Sequence, residues 1–239
     1  MSHLKSKLLV ILFALLFILL AATSASRKSL TWDEPTFITS GYTYLDKNDF
    51  RLNPEAPPLL QTLAALPIWI GTFKPPDYDH TAWSERKQII FSKNFVAANR
   101  DRIDELAWLS RIPTWILGGC LVVAGAAFCW QLAGPTAGII CALLMSLSPN
   151  LLAHGRLATT DLGCAALMFG AVWSFRLAIQ ENRQIDWVIT GCITGFALLA
   201  KYTALLLGPT YVILGLYEWL SQNRSIKRLL VGFGILMLT

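Results

Sequence analysis

The stretch Leu8-Leu9-Val10-Ile11-Leu12-Phe13-Ala14-Leu15-Leu16-Phe17-Ile18-Leu19-Leu20-Ala21-Ala22 contains no charge and no residue that breaks a helix. Lys5 and Lys7 precede it, and together they read as one crossing of a bilayer, since about 20 apolar helical residues cover ~30 Å of hydrocarbon. Ala21-Ala22-Thr23-Ser24-Ala25-Ser26 at its end also resembles a signal-peptide cleavage region, so removal of the segment is the alternative reading. Either outcome places the following loop outside.

Runs of the same kind recur at Ile112–Leu132, Thr136–Ala153, Leu162–Ile179, Trp187 to about Lys201, and Tyr202–Leu220. A seventh begins at Leu229 and reaches Thr239 after eleven residues, fewer than a crossing needs, so the chain reads as the N-terminal part of a longer protein. Composition agrees, with 54% hydrophobic residues, 15% charged residues and a mean hydropathy of +0.50. The expected fold is all-α: a polytopic transmembrane helix bundle with a long external loop containing interfacial helices. Its expected parts are a first membrane helix in 1–26, the external loop in 27–111, and membrane helices two to seven in 112–239.

Orientation follows from Lys5 and Lys7 at one end and Arg224, Lys227 and Arg228 after Leu220, which fall on the same, cytoplasmic side if the spans alternate. The 27–111 loop carries eleven Lys or Arg of its own. Loops longer than ~60 residues are translocated largely regardless of charge, so this does not oppose the scheme. The expected location is the plasma or inner membrane, with the loop facing the periplasm or exterior. Asn223-Arg224-Ser225 matches a glycosylation sequon but lies on the cytoplasmic side, where it should stay unmodified.

The net charge of +5 is spread over helix ends and a nearly balanced loop, with no basic and aromatic stripe that would suit nucleic acid. No phosphate-binding Gly-rich loop or dinucleotide fingerprint is present. The five cysteines all fall in apolar spans and read as small buried hydrophobes. His3, His80 and His154 are scattered, with His80 and His154 both expected outside.

Within the loop, Pro57-Pro58 can open a helix, and Leu59–Trp69 is too short to span but apolar enough to lie along the membrane, ending near Pro67. A second amphipathic helix is expected from Trp83 to about Leu109.

The chemistry-bearing groups begin with Thr31-Trp32-Asp33-Glu34-Pro35. Asp33 is either the N-cap of a helix opened by Glu34 and Pro35 or a site carboxylate. Asp161, at the outer mouth of the fourth span, carries the same two readings. Arg156 is suited to pairing with Asp161, to reaching a phosphate or to snorkelling. Lys201 interrupts about thirty apolar residues, where a charge is costly unless it ends a helix or faces a polar cavity.

Several of these stretches together are similar to the protein mannosyltransferase and aminoarabinose transferase family of polytopic glycosyltransferases of the C superfamily. They are Asp33-Glu34-Pro35, Glu55-Ala56-Pro57-Pro58-Leu59, Leu109-Ser110-Arg111-Ile112-Pro113, Ser148-Pro149, Arg156-Leu157-Ala158-Thr159-Thr160-Asp161, and Gly195-Phe196-Ala197-Leu198-Leu199-Ala200-Lys201-Tyr202-Thr203. The resemblance implies transfer of a sugar from a polyprenyl-phosphate (dolichyl- or undecaprenyl-phosphate) donor to a hydroxyl of a protein, lipid or glycan acceptor at the external face, with inversion. It implies Asp33 as the acceptor-engaging residue with Glu34 beside it, Asp161 as a second acidic site residue, and Glu55 as the acidic residue before the paired prolines. Relatives commonly carry Lys or His after that acid; here it is Ala56.

Elementary chemistry fits this assignment. An acceptor hydroxyl must lose its proton to a positioned carboxylate, and a departing polyprenyl phosphate needs a cation more than an acid. Lys201 and Arg156 are the expected phosphate-binding cations. The acidic residues are chemically able to hold a divalent ion, although no dedicated ligand spacing is present. The alternative function is a polytopic transporter or flippase for a lipid or small solute. Such a protein should show internal repeats and ionisable groups near the bilayer midplane, and neither is evident.

Overall fold

A computed structural model describes residues 3–181, 183–222 and 226–238. Every regular element among them is helical. The Asn223 sequon and the side chains of Lys227 and Arg228 lie outside what is described. The chain divides into two compact units, Met1–Gly163 and Cys164–Thr239.

The first unit opens with α1 (His3–Ala25), which packs along α6 (Ile103–Ser146). Gly118 and Gly119 of α6 make this approach close. A Cβ at Gly118 would sit 2.2 Å from Phe17 Cε1, and one at Gly119 2.8 Å from Ile18 Cδ1. Small residues at such a contact let two membrane helices interlock through van der Waals packing, the force that remains where lipid is as apolar as the partner. Leu8, Ile11, Leu12, Leu15 and Leu19 stay exposed on the other side of α1, as a lipid-facing stripe requires.

Between α1 and α6 lies a polar lobe. It contains α2 (Glu34–Lys47), α3 (Leu59–Ile70), the single turn α4 (Thr81–Ser84), α5 (Gln88–Ala98) and a 3-10 turn at Arg100–Arg102. Helix α2 carries Pro35 in its first turn, where the missing N–H costs nothing. It ends at Asn48, which adopts a left-handed φ of 51° and returns its N–H to the Tyr44 carbonyl.

Helices α2 and α3 cross at contact distance because Gly41 has no side chain: a Cβ there would lie 2.0 Å from the Gln61 carbonyl oxygen. Ile38, Tyr42, Ala64, Ala65, Ile68, Phe95 and Leu106 bury one core around that crossing. A smaller aromatic core of Trp83, Phe91, Leu52 and Tyr78 is covered by cations, with Arg51 4.6 Å over the Trp83 ring and Lys47 4.7 Å over Tyr78.

Two loop expectations are corrected. Helix α3 continues past Pro67 to Ile70, giving up only the bond Pro67 would have donated one turn back. The expected helix from Trp83 to Leu109 is divided among α4, α5, the 3-10 turn and the start of α6. Arg86 takes a positive φ of 55°. Asn99 leaves helical geometry, and its side chain holds the backbone of Lys74 from both sides, its oxygen accepting the Lys74 N–H and its amide donating to the Lys74 carbonyl. A short polar side chain that bonds the backbone of another segment competes with helix continuation.

The membrane spans also differ from expectation. Among the described residues four helical stretches are long and apolar enough to cross a membrane: His3–Ala25, Arg100–Ser146, Asp161–Glu181 and Tyr202–Ser221. Arg100–Ser146 contains the span expected at Ile112–Leu132 and part of the next, bent where Gly134 takes φ 82° before Pro135. The span expected at Thr136–Ala153 stops at Ser146, and α7 (Pro149–Gly155) restarts after Ser148, whose hydroxyl accepts from the Leu151 N–H.

The second unit continues α8 (Asp161–Glu181) with α9 (Gln184–Ala200), a 3-10 turn at Tyr202–Leu206, α10 (Leu207–Gln222) and α11 (Ile226–Leu238). At 17 residues, α9 is about 25 Å long and falls short of the full hydrocarbon thickness. Phe175, Trp187, Tyr211 and Leu236 form its core, with Phe175 stacked 4.3 Å from the Tyr211 ring. Thr194 and Tyr211 share a hydrogen bond of 2.7 Å.

Candidate functional site

The polar turn after α1 and the start of α2 are organised by one buried ion pair. Arg111, in the second helical turn of α6 beyond its Asp104-Glu105 start, is 1% exposed, and Glu34 is fully buried. Nε and Nη2 of Arg111 donate to Oε1 and Oε2 of Glu34, both at 2.8 Å. The remaining donors reach the carbonyls of Ala25, Lys28 and Ser29 at 2.9 to 3.0 Å. All five guanidinium N–H groups are therefore used, which is what a buried arginine requires.

Glu34 is equally saturated. Besides Arg111 it accepts the Thr31 N–H at 2.7 Å, the Thr31 hydroxyl at 3.1 Å and the Ala158 N–H at 2.8 Å. Burial alone would push its carboxyl pKa up, but Arg111 and the two backbone N–H groups outweigh burial and hold it below the ordinary carboxylate value.

Its neighbour sits in the opposite environment. Asp33 is exposed, and although it occupies the N-cap position of α2 its side chain makes no capping bond. The cap reading of Asp33 is thus not realised. Only the backbone of that position serves the helix, through the Asp33 carbonyl accepting the Phe37 N–H at 3.1 Å.

The bond from Ala158 to Glu34 brings in the turn 156–160. Arg156 caps the end of α7 and donates from Nη1 to Ser24 at 3.4 Å. Its Nε and the Thr159 hydroxyl are buried and have no hydrogen-bond partner among the described residues. Asp161 opens α8 and is half exposed beside His154, with Nδ1 3.6 Å from Oδ2. Asp33, Glu34, Arg156 and Asp161 thus belong to two segments tied at one carboxylate.

Glu55 is exposed on a loop whose base is fixed from beneath. The amide of Gln61 donates to the carbonyls of Ala56 and Pro57 at 3.0 and 3.1 Å, while its oxygen accepts from Asn53 at 3.0 Å and from Tyr44 at 3.3 Å. Lys201 lies in the second unit, at the end of α9, with extended backbone and its N–H bonded to Ala197. The expected helix end is there; the side chain is half buried. No three His, Cys, Asp or Glu side chains among the described residues converge into a metal-binding group.

Two features were not read from the sequence. Arg111 is marked in the sequence only by the Leu109–Pro113 stretch, although an arginine directly before an apolar span must be paired if the fold buries it. The Tyr44-Asn53-Gln61 network left no signal, because each residue is an ordinary polar residue until the helices cross.

Helical elements throughout the described residues, four stretches long and apolar enough to cross a membrane, and a buried Arg111–Glu34 pair beneath a polar lobe define a polytopic membrane protein. Residues 102–239 match the family model described as dolichyl-phosphate-mannose-protein mannosyltransferase, and the chain belongs to that family. It is a family of membrane glycosyltransferases that use polyprenyl-phosphate sugars. The match includes Arg111, Arg156, Asp161 and Lys201, and begins after Asp33, Glu34 and Glu55. No curated protein and no solved structure matches the chain.

Proposed function

We propose that the protein transfers a sugar from a dolichyl- or undecaprenyl-phosphate donor to a hydroxyl of a protein, lipid or glycan acceptor, at the external face of the plasma or inner membrane. Asp33 takes the proton of the attacking hydroxyl. The hydroxyl oxygen bonds to the anomeric carbon as the bond to the phosphate oxygen breaks, and the phosphate leaves with the electron pair. A single displacement of this kind inverts the anomeric carbon.

The observation that carries the reading is the bond from the Ala158 N–H to Glu34 at 2.8 Å, because it ties the segment bearing Asp33 to the segment bearing Arg156 and Asp161. An exposed carboxylate without a capping bond suits a base, and a buried Nε and hydroxyl without partners, on Arg156 and Thr159, suit phosphate oxygens. Glu34 acts as a positioning residue: a carboxylate already accepting five hydrogen bonds has no vacant lone pair for a substrate proton. Asp161, paired with His154, is assigned to the acceptor side and Glu55 to the rim of the site. Lys201, by itself a cation at a helix end of the second unit, is chemically suited to a lipid phosphate.

The test is transfer from a radiolabelled polyprenyl-phosphate sugar by the full-length protein in membranes. Replacing Asp33→Asn should abolish transfer while donor binding persists. Unchanged transfer by that variant removes Asp33 from the mechanism.

A further inference from the structure

Trp32 is 72% exposed although both of its neighbours in the chain are held in place. Thr31 is bonded through its N–H and its hydroxyl to buried Glu34 at 2.7 and 3.1 Å, and Asp33 already contributes its carbonyl to α2. The indole is therefore carried on a rigid backbone. Lys93 of α5, a helix that packs on α2, places Nζ 5.0 Å from the ring centroid. The open indole thus lies between a cation and the exposed carboxylate of Asp33.

We infer that Trp32 and Lys93 form an acceptor subsite for a pyranose ring, so that the hydroxyl attacked through Asp33 belongs to a sugar. The inference rests on the transferase reading and names the acceptor class for it. A pyranose has an apolar C–H face and an equatorial rim of hydroxyls. A flat indole matches the face, while an ammonium with three donors and a carboxylate acceptor match the rim. A serine or threonine in an extended peptide offers the indole no comparable face. The competing occupant is the membrane interface, where Trp and Lys anchor helices.

The full-length protein in lipid nanodiscs, with methyl α-mannopyranoside as probe and saturation-transfer NMR as readout, decides between them. Ring C–H protons of the probe should receive saturation from wild type. Trp32→Ala should weaken probe binding at least about fivefold, Trp32→Phe should keep part of it, and Lys93→Met should fall between. Because the ring is exposed, melting temperatures should match wild type and show that the variants fold. No saturation in wild type, or equal saturation in Trp32→Ala, overturns the subsite. Loss of indole quenching by brominated lipid in Trp32→Ala with unchanged probe binding also overturns it, in favour of an interfacial anchor. Asp33→Asn, which keeps an acceptor oxygen at the rim, should weaken probe binding less than Trp32→Ala does while abolishing transfer. If that variant also transfers sugar normally, the role of Asp33 fails while the subsite stands.

Discussion

Arg111 and Glu34 lie 77 positions apart in the chain and meet through two bonds of 2.8 Å, with neither side chain reaching solvent. The pair fastens the end of α1, the turn 28–31, the start of α2 and the 156–160 turn to α6. Removing one partner leaves the other charged, buried and alone, which costs about 3–5 kcal/mol. Arg111→Ala should therefore lower thermal stability by that order in detergent-solubilised protein. Arg111→Lys should recover little, since an ammonium has three donors where the site uses five in a planar fork.

The same pair predicts an asymmetry within the acidic dipeptide. Asp33→Asn changes an exposed side chain with no capping bond, and its melting temperature should stay close to wild type, within about 0.5 kcal/mol of stability. Glu34→Gln puts an amide N–H₂ toward Arg111 or the backbone donors and should melt well below wild type. Differential scanning fluorimetry of the two variants side by side reads the difference.

Acid should unfold the protein through Glu34. Its carboxyl is held below the ordinary value of 4.5 in the folded state, so the unfolded chain takes up its proton first as pH falls. The stabilisation is fully present above about pH 4.5 and is lost as the pH drops through the lower folded value. Thermal melts from pH 7 down to pH 3.5 should show a steep loss in wild type. Glu34→Gln should begin lower and lose less across the same window.

The all-helical membrane fold was legible because apolar runs of bilayer length are long, local signals. What they could not convey was where a run breaks by backbone geometry rather than polarity. Ser146 to Pro149 ends one helix and starts another inside a run whose overall hydropathy suits one span, and the break is set by Ser148 as N-cap and Pro149 in the first turn of α7. The helix expected from Trp83 to Leu109 failed for the opposite reason: Asn99 spends its side chain on Lys74, 25 residues away, and no local pattern records that. At the site, the acidic pair stood out from the sequence, but its division into a free carboxylate and a saturated one depends on Arg111 and Ala158. Both are remote in sequence from Glu34.

Gly41 tests the close crossing of α2 and α3. A Cβ at this position meets the Gln61 carbonyl at 2.0 Å and the Ala65 Cβ at 2.9 Å, and the first of these is backbone that cannot rotate aside. Gly41→Ala should force the helices apart and cost on the order of 1–3 kcal/mol despite its higher helix propensity. Gly195→Ala, where nothing lies within 4 Å, is the control and should be neutral or slightly stabilising. A comparison of urea or thermal stability between the two variants checks the sign.

Gln61 predicts how firmly Glu55 is presented. Its amide is the only group among the described residues shown bonding both the Ala56 and Pro57 carbonyls, and its oxygen collects Asn53 and Tyr44. Gln61→Leu fills similar volume but strands those buried groups, which costs about 1–3 kcal/mol for the unsatisfied polar atoms. The cost falls locally, because the loop 53–58 can reach water by detaching while the α2–α3 core stays packed. Limited proteolysis should therefore open new cleavage between Asn53 and Pro58 in Gln61→Leu before any global unfolding. If Glu55 touches the substrate, KM should rise with little change in kcat, since a loosened contact weakens binding without altering Asp33. A Glu55→Gln variant that reproduces the same KM change without the new cleavage would separate the contact from the stability of the loop.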